Sequence, residues 1–501
     1  MATRKATPEP RGEDGSPADQ GGEGSPSTSN GRSGTAPDGG DRYRPLPTGM
    51  HGLDPELVKS DQRERLRNAM VELIAQKGYQ AVRIVDLAKL ARVSQPTFYS
   101  LFGDKEELFV SAYDEIAGRT YRSVLEAYGK DDSGDDRLLV ALRAYTQLAA
   151  AEPQAMSLLV LGAFGAGPKA LEHRAASLEA LGRQIRASRD GQPSGDGGDL
   201  TVRVIVGGIR EVTAARLSQG RESELPGLAD ELAAWASRYP RHVPRELLAP
   251  EPPPSTAPAD RPLPPSERAR RAEGRLPSGR SDLPREAIIA NQQERIVDAT
   301  AAIVAEKGLA ALTIPEIARR ASVSHQTFYD IYPSKHDAFL GAQKVGMHQA
   351  FVQGVGAYET QMPDWPRAIA AGMRAVIGYV VSEPAHAHLS IVDTFGASPE
   401  TITTRDEVLR GFATYFDPGY EQAPEELEVP GIAAEAVVGG CWQVLHHYIE
   451  NDRIDELPEA SPQLTYMLLT PFLGPRRAAE VALLPVPTAK PVPQREVEAS
   501  T

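Results

Sequence analysis

The chain has 501 residues, more than one hydrophobic core holds, since single cores stop growing near ~250 to 300 residues; two domains plus connecting segments are expected. Its net charge of -14 looks wrong for a nucleic-acid binder, but the acidity is local: residues 341 to 475 hold six Lys/Arg against eighteen Asp/Glu, while residues 61 to 110 hold eight against seven and residues 285 to 340 six against seven. The single cysteine, Cys441, excludes an intrachain disulfide and a Cys-based zinc site, and no apolar run approaches the ~20 residues of a bilayer span, so a cytoplasmic protein without membrane contact is expected.

Residues 1 to 58 are rich in Gly, Ser, Pro and Asp without apolar periodicity and read as a disordered N-terminal arm. From residue 59 the period becomes helical, with Leu66, Ala69, Met70, Leu73 and Ile74 at i, i+3, i+4, i+7 and i+8. Gly78 stops that helix, a short helix follows over about 84 to 91, Arg92 and Val93 make a tight turn, and Ser94 caps a further short helix through Tyr99. Two short helices joined by such a turn form the geometry that sets the second across a DNA major groove. This first helix-turn-helix domain spans 59 to 117, and a helical domain follows over 118 to 240. Residues 241 to 286 are a linker too Pro-rich for a helix or central strand, and its end, 261 to 285, holds seven Arg against three acids, an arm able to assist DNA binding.

The pattern then returns. Ile296, Ala299, Ile303 and Val304 repeat the first apolar face, Thr313 and Glu316 form a capping box, and Ser324 caps the second short helix. Aligned without a gap at an offset of 230, residues 63 to 109 and 293 to 339 are identical at 17 of 47 positions. "EPQAMSLLVLGAFGAGP" (152 to 168) and "EPAHAHLSIVDTFGASP" (383 to 399) extend the similarity, as do the Gly207-Gly208 and Gly439-Gly440 segments, so a whole unit was duplicated. The second helix-turn-helix domain spans 287 to 346, the second helical domain 347 to 475, and 476 to 501 reads as a disordered tail.

"IVDLAKLARVSQPTFYSLFGDKEELF" and "IPEIARRASVSHQTFYDIYPSKHDAF" resemble the DNA-binding domain of the tetracycline-repressor (TetR) family. The alanine of the first short helix, the Val-Ser turn, Thr-Phe-Tyr, an aromatic three positions beyond the Tyr, and a Lys opening the next helix all sit at family spacing. Two departures stand out: the family's turn glycine is Arg92 in one copy and Ser322 in the other, and its Thr cap is Arg83 in the first copy. The resemblance implies an all-α protein of two tandem units, each a helix-turn-helix domain followed by a helical regulatory domain with a ligand cavity and a dimerising helix pair. By position, Gln95, Pro96 and Thr97, and His325, Gln326 and Thr327, face base edges; Gln pairs bidentately with adenine, and Thr or Pro touches a thymine methyl. Tyr99 and Tyr329 stand at phosphate distance, and Lys105 and Lys335 add charge at a helix N-terminus. Phe98, Phe102, Phe328 and Tyr332 belong under the motif.

Framework positions are shared while the base-facing triplet changes, so the two copies should prefer different half-sites of one asymmetric double-stranded operator. The expected function is a ligand-responsive transcriptional repressor; the alternative is a small-molecule sensor or interaction module whose helix-turn-helix units no longer bind DNA, a reading that Asp330 in the second recognition helix keeps open. The halves pair within one chain as a pseudo-dimer, or each with its own kind as a homodimer. Phe164, Phe395 and Trp442, with Trp235 and Trp365, are candidate ligand contacts, set against the plain-core role that apolar residues at helical spacing more often have. His386 and His388, two apart on a helix, diverge by ~200°, and His446 and His447 by ~100°, so no metal and no cofactor is expected. Absence of Gly-x-Ser-x-Gly, His-Glu-x-x-His and P-loop motifs gives no ground for an enzyme.

Overall fold

The computed structural model describes residues 42–44, 54–129, 137–190, 198–240, 243–248, 284–394 and 399–485, and every regular element among them is helical. The first half contains α1 (Pro55–Ala81), α2 (Ile84–Leu90), α3 (Gln95–Leu101), α4 (Lys105–Gly129), α5 (Arg137–Ala151), α6 (Pro153–Val160), α7 (Pro168–Asp190), α8 (Gly198–Ser218) and α9 (Ala229–Ala236). The second contains α10 (Arg285–Lys307), α11 (Ile314–Ala321), α12 (His325–Ile331), α13 (Lys335–Glu359), α14 (Trp365–Ser382), α15 (Pro384–Ala387), α16 (Pro399–Ala413), α17 (Asp417–Gln422), α18 (Ala433–Glu450) and α19 (Leu457–Ala482). A π-helical turn over His388–Val392 continues α15.

Local signals place these boundaries. Asp54 caps α1 by accepting from Glu56 N at 2.9 Å, Pro55 fits the first turn, and Gly78 breaks the helix with φ +73°. Gly308, with φ +76°, ends α10 at the equivalent place. Thr313 caps α11 through Glu316 N at 3.4 Å, whereas Arg83 offers α2 no side-chain cap. The two-way capping box expected of Thr313 and Glu316 runs one way, because the Glu316 carboxylate is taken by Arg319 at 2.7 Å and Lys307 at 3.2 Å. Arg92 (φ +54°) and Ser322 (φ +53°) hold the left-handed turn where glycine would be unstrained.

Three apolar cores form. One lies beneath α1 to α3 around Leu66, Met70, Phe98 and Phe109; one beneath α10 to α12 around Ile296, Ile303, Phe328 and Phe339; the third joins the two helical domains, running from Val204 and Trp235 to Val437, Val444, Leu464 and Phe472. The joint is the packing of α8 on α18. A methyl on Gly207 would stand 2.8 Å from Gln443 Cβ, and one on Gly439 would stand 2.5 Å from Glu211 Cβ; methyls on Gly208 and Gly440 would run into the carbonyl oxygens of Ala436 and Val204. Each of these contacts maps onto its counterpart at an offset of 232, so the halves face each other across a pseudo-two-fold axis.

Three expected boundaries shift. α1 begins at Pro55 rather than 59, and Tyr43 donates to Glu72 Oε2 at 2.8 Å, so the N-terminal arm touches the first domain. Inside the expected linker, Arg245–Leu247 make a 3-10 turn because Leu247 buries fully in the joint core. The expected C-terminal tail opens with helix instead: beyond Gly474 (φ +74°), α19 runs to Ala482, with Ala478, Val481 and Ala482 at helical spacing and buried. The rest of the arm and tail and the Arg-rich end of the linker lie outside the described residues.

Gly440→Ala should therefore lower the melting temperature, through an overpacking cost of ~1 to 3 kcal/mol, while Gly356→Ala, with nothing within 4 Å of the added methyl, should be neutral or stabilising; paired thermal melts check this.

Candidate nucleic-acid interface and ligand cavity

Both recognition helices are built alike. Ser94 accepts from Thr97 N at 3.1 Å and Ser324 from Thr327 N at 3.0 Å, satisfying amides that a helix start leaves without partners. The serine and threonine hydroxyls also bond, at 2.7 Å in the first copy and 2.9 Å in the second. Phe98 and Phe328 are wholly buried, with Phe102 and Tyr332 beside them, and this fixes which face turns outward. On that face Gln95, Pro96, His325 and Gln326 are exposed, Thr97 and Thr327 half-buried, and Tyr99 and Tyr329 more than half exposed (56% and 54%). All eight thus share one outward surface per copy. In α12, Gln326 Nε2 donates to Asp330 Oδ1 at 2.8 Å, so Asp330 holds the Gln326 amide.

Both lysines donate to backbone carbonyls of the motif. Lys105 Nζ donates to Tyr79 O and Val82 O, both at 3.0 Å, and lies 4.0 Å from the centre of the Tyr79 ring; Lys335 Nζ donates to Leu312 O at 2.9 Å. The ammoniums thus serve carbonyls in the loop ahead of the first short helix, where Tyr79 O also accepts from Val82 N at 3.1 Å. Burial pulls the Lys105 pKa down, consistent with a charge turned inward.

Sequence reasoning missed Arg65 and Arg295. Arg65, 5% exposed, donates to Ala91 O and to Arg92 O (3.3 Å) and is held by Asp61 at 2.8 Å; Arg295 donates to Ala321 O at 2.9 Å and Ser322 O at 3.2 Å. Each guanidinium ties the left-handed turn to the long helix and so sets the recognition helix. The signal was present: an arginine retained at the same offset in both copies.

In the second half, α13, α14, α15, α16 and α18 enclose a cavity of about 120 Å³, space on the order of ten water molecules. Met347, Met373, Val376, Phe412, Cys441 and Trp442 contribute to its wall, and no Asp, Glu, Lys or Arg does among the described residues. Burial pushes the Cys441 thiol far up, so it stays a neutral wall group. Trp442 Nε1 and His386 Nδ1 find no partner among the described residues, although both side chains are at least nine-tenths buried. His386 Nε2 lies 2.9 Å from Asp298 Oδ1 on α10, so the cavity wall is bonded to the first helix of the second DNA-binding domain. At the corresponding first-half positions stand Ala155 and Asn68. Of the aromatic candidates, Trp442 lines the cavity. Trp235 is core against Gly208, and Trp365 packs on Phe416 and Phe472 and donates to Tyr415 O at 2.8 Å. The Phe164 side chain and Phe395 lie outside the described residues. His388 pairs with Asp393 at 2.8 Å and His446 with Glu450 at 3.3 Å.

Arg65→Ala and Arg295→Ala should each cost ~1 to 3 kcal/mol, because two carbonyls lose a charged donor; denaturant melts of the full chain measure the loss.

The sequence matches the family described as bacterial regulatory proteins, tetR family, at residues 66–112 and again at 296–341. The chain is 31% identical over 146 residues to the HTH-type transcriptional repressor SCO4008 of Streptomyces coelicolor, an alignment covering 29% of this chain and 70% of that protein. It is 32% identical over 78 residues to the HTH-type transcriptional regulator HbdR of Aromatoleum sp., covering 16% and 30%. Among solved structures, the transcriptional regulator FadR from Bacillus subtilis in complex with stearoyl-CoA is similar at 18% identity and a TM-score of 0.32, covering 34% of this chain and 96% of that one. The family pattern occurs twice, on two helix-turn-helix domains of matching geometry, and the chain belongs to the TetR family of DNA-binding transcriptional regulators, as two units in tandem.

Proposed function

We propose that the chain is a repressor that reads one asymmetric operator with two different recognition helices and responds to an apolar ligand in its second half. The observation that carries the first part is the matched exposure of the two triplets, Gln95-Pro96-Thr97 and His325-Gln326-Thr327, on otherwise shared frames. The role of SCO4008 as a repressor supports the sign of regulation. The α8–α18 packing supports pairing of the halves within one chain, which supplies both reading helices that a symmetric dimer would draw from two chains. Gln95 and Gln326 contact bases, Tyr99 and Tyr329 phosphate, and Lys105 and Lys335 add charge behind them while holding the motif together.

The cavity suits an uncharged, largely apolar molecule carrying an acceptor for the Trp442 N–H. Its occupancy would reach the second DNA-binding domain through His386 and Asp298.

Selection of bound sequences from a random DNA pool tests the first part: an asymmetric consensus is expected, and recovery of no sequence at all would leave a sensor without DNA reading. On the selected site Gln95→Ala should cost ~1 to 3 kcal/mol at one half-site only, whereas an equal loss on every sequence would place Gln95 on phosphate. Nile red, uncharged and fluorescent, should bind the full chain; Val376→Trp should weaken it by about tenfold, ~1.4 kcal/mol, with operator binding kept, and unchanged dye binding would remove the cavity as the site.

A further inference from the structure

The interface between the halves carries more polar chemistry than close packing requires. Arg174 of α7 and Arg405 of α16 occupy equivalent positions, both are buried, and both reach across the joint. Arg405 forms an ion pair with Glu211 at 2.7 Å, while Arg174 donates to Gln443 Oε1 at 2.8 Å. Glu211 and Gln443 are themselves equivalent, and they meet at the pseudo-two-fold axis, where Gln443 Nε2 donates to Glu211 Oε1. Nearer the rim, Arg216 pairs with Glu435 at 2.6 and 2.9 Å, and Ser218 donates to Asp406 at 3.0 Å.

We infer that these positions select the unlike half as partner: the interface fits first half to second half and disfavours either half against its own kind. The inference rests on the cis pairing proposed above and is worked out by exchanging each residue for its counterpart. Arg203 stands at the position of Glu435, and Tyr448 at that of Arg216. Two first halves would set Arg216 against Arg203 twice and oppose two Glu211 carboxylates at the axis, where a donor now meets an acceptor. Each Arg174 would gain the Glu211 carboxylate but lose Glu450, now 3.9 Å away, and the axial pair would still lack a proton between its oxygens. Two second halves fail differently. Glu450 stands at the position of Ser218, so Asp406 would meet a carboxylate twice, and the Arg216–Glu435 pair would vanish. Only the unlike pairing puts opposite or complementary groups at every one of these contacts, and juxtaposed like charges are an effective way to reject a wrong partner.

The electrostatics follow the same asymmetry. Burial works against the charge of Arg405, yet Glu211 and Asp406 more than offset it and raise its pKa; Arg174 is lowered by burial to about 10, because the Gln443 amide is neutral and the Glu450 carboxylate, 3.9 Å away, only partly offsets the burial.

Arg216→Glu inverts the preference, since the introduced carboxylate would repel Glu435 in cis yet attract Arg203 of a second copy. Light scattering at micromolar concentration should find the wild-type chain near 54 kDa and this variant shifted towards twice that mass, with Arg216→Glu/Glu435→Arg returning to the wild-type value. A variant that keeps both the wild-type mass and melting temperature would overturn the inference. Should Arg216→Glu not fold, Ser218→Glu on the exposed end of α8 decides: its melting temperature should fall at low salt and recover with added salt or with Asp406→Asn, and a salt-independent result would sink the idea. A wild-type particle already at twice 54 kDa would instead refute cis pairing itself, which separates the two failures.

Discussion

Where α8 crosses α18, backbone meets backbone: Gly207 and Gly208 face Gly440, Ala436 and Gln443 with no room for another carbon. Helix axes that approach this closely leave few relative positions open, because side chains on either flank interlock like the interior of a single domain. The joint core continues from Val204 through Val437 and Val444 to the α14–α19 layer, so the two helical domains move as packed neighbours rather than as beads on a tether. The spacing of the two recognition helices is inherited from that crossing, through α4 and α13, which carry each DNA-binding domain.

Within this frame the duplicated copies have diverged in what they do. Their recognition-helix surfaces share burial position by position and differ in side chain at the first two positions, Gln95-Pro96 against His325-Gln326. The helical domains diverge further. The second encloses an uncharged cavity whose wall histidine is bonded to its own DNA-binding domain, and alanine and asparagine at the matching first-half positions cannot make that bond. The His386–Asp298 contact ties α15 to α10, the first helix of the second DNA-binding domain.

Reuse of charge inside the DNA-binding domains also explains their near-neutral balance. Arg65, Arg295, Lys105 and Lys335 all donate to backbone carbonyls at the turns that define the motif. Those cations hold the geometry of the motif together. Local balance of Lys/Arg against Asp/Glu is thus a poor guide to what such a domain binds.

Sequence alone determined the helical class, the duplication, the presence of two helix-turn-helix motifs and the caps Ser94, Ser324 and Thr313, because all of these are set by residues within a few positions of one another along the chain. The inward turn of the lysines, the arginine that braces each turn, the helical end of α19 and the His386–Asp298 bond were decided by the tertiary structure, since each joins residues 23 or more positions apart, or depends on what packs over a helix face. The partner choice written at Glu211 and Gln443 lies furthest from local reading: in sequence it is one carboxylate exchanged for one amide, and only folding brings the two to the same axis, where a donor must face an acceptor.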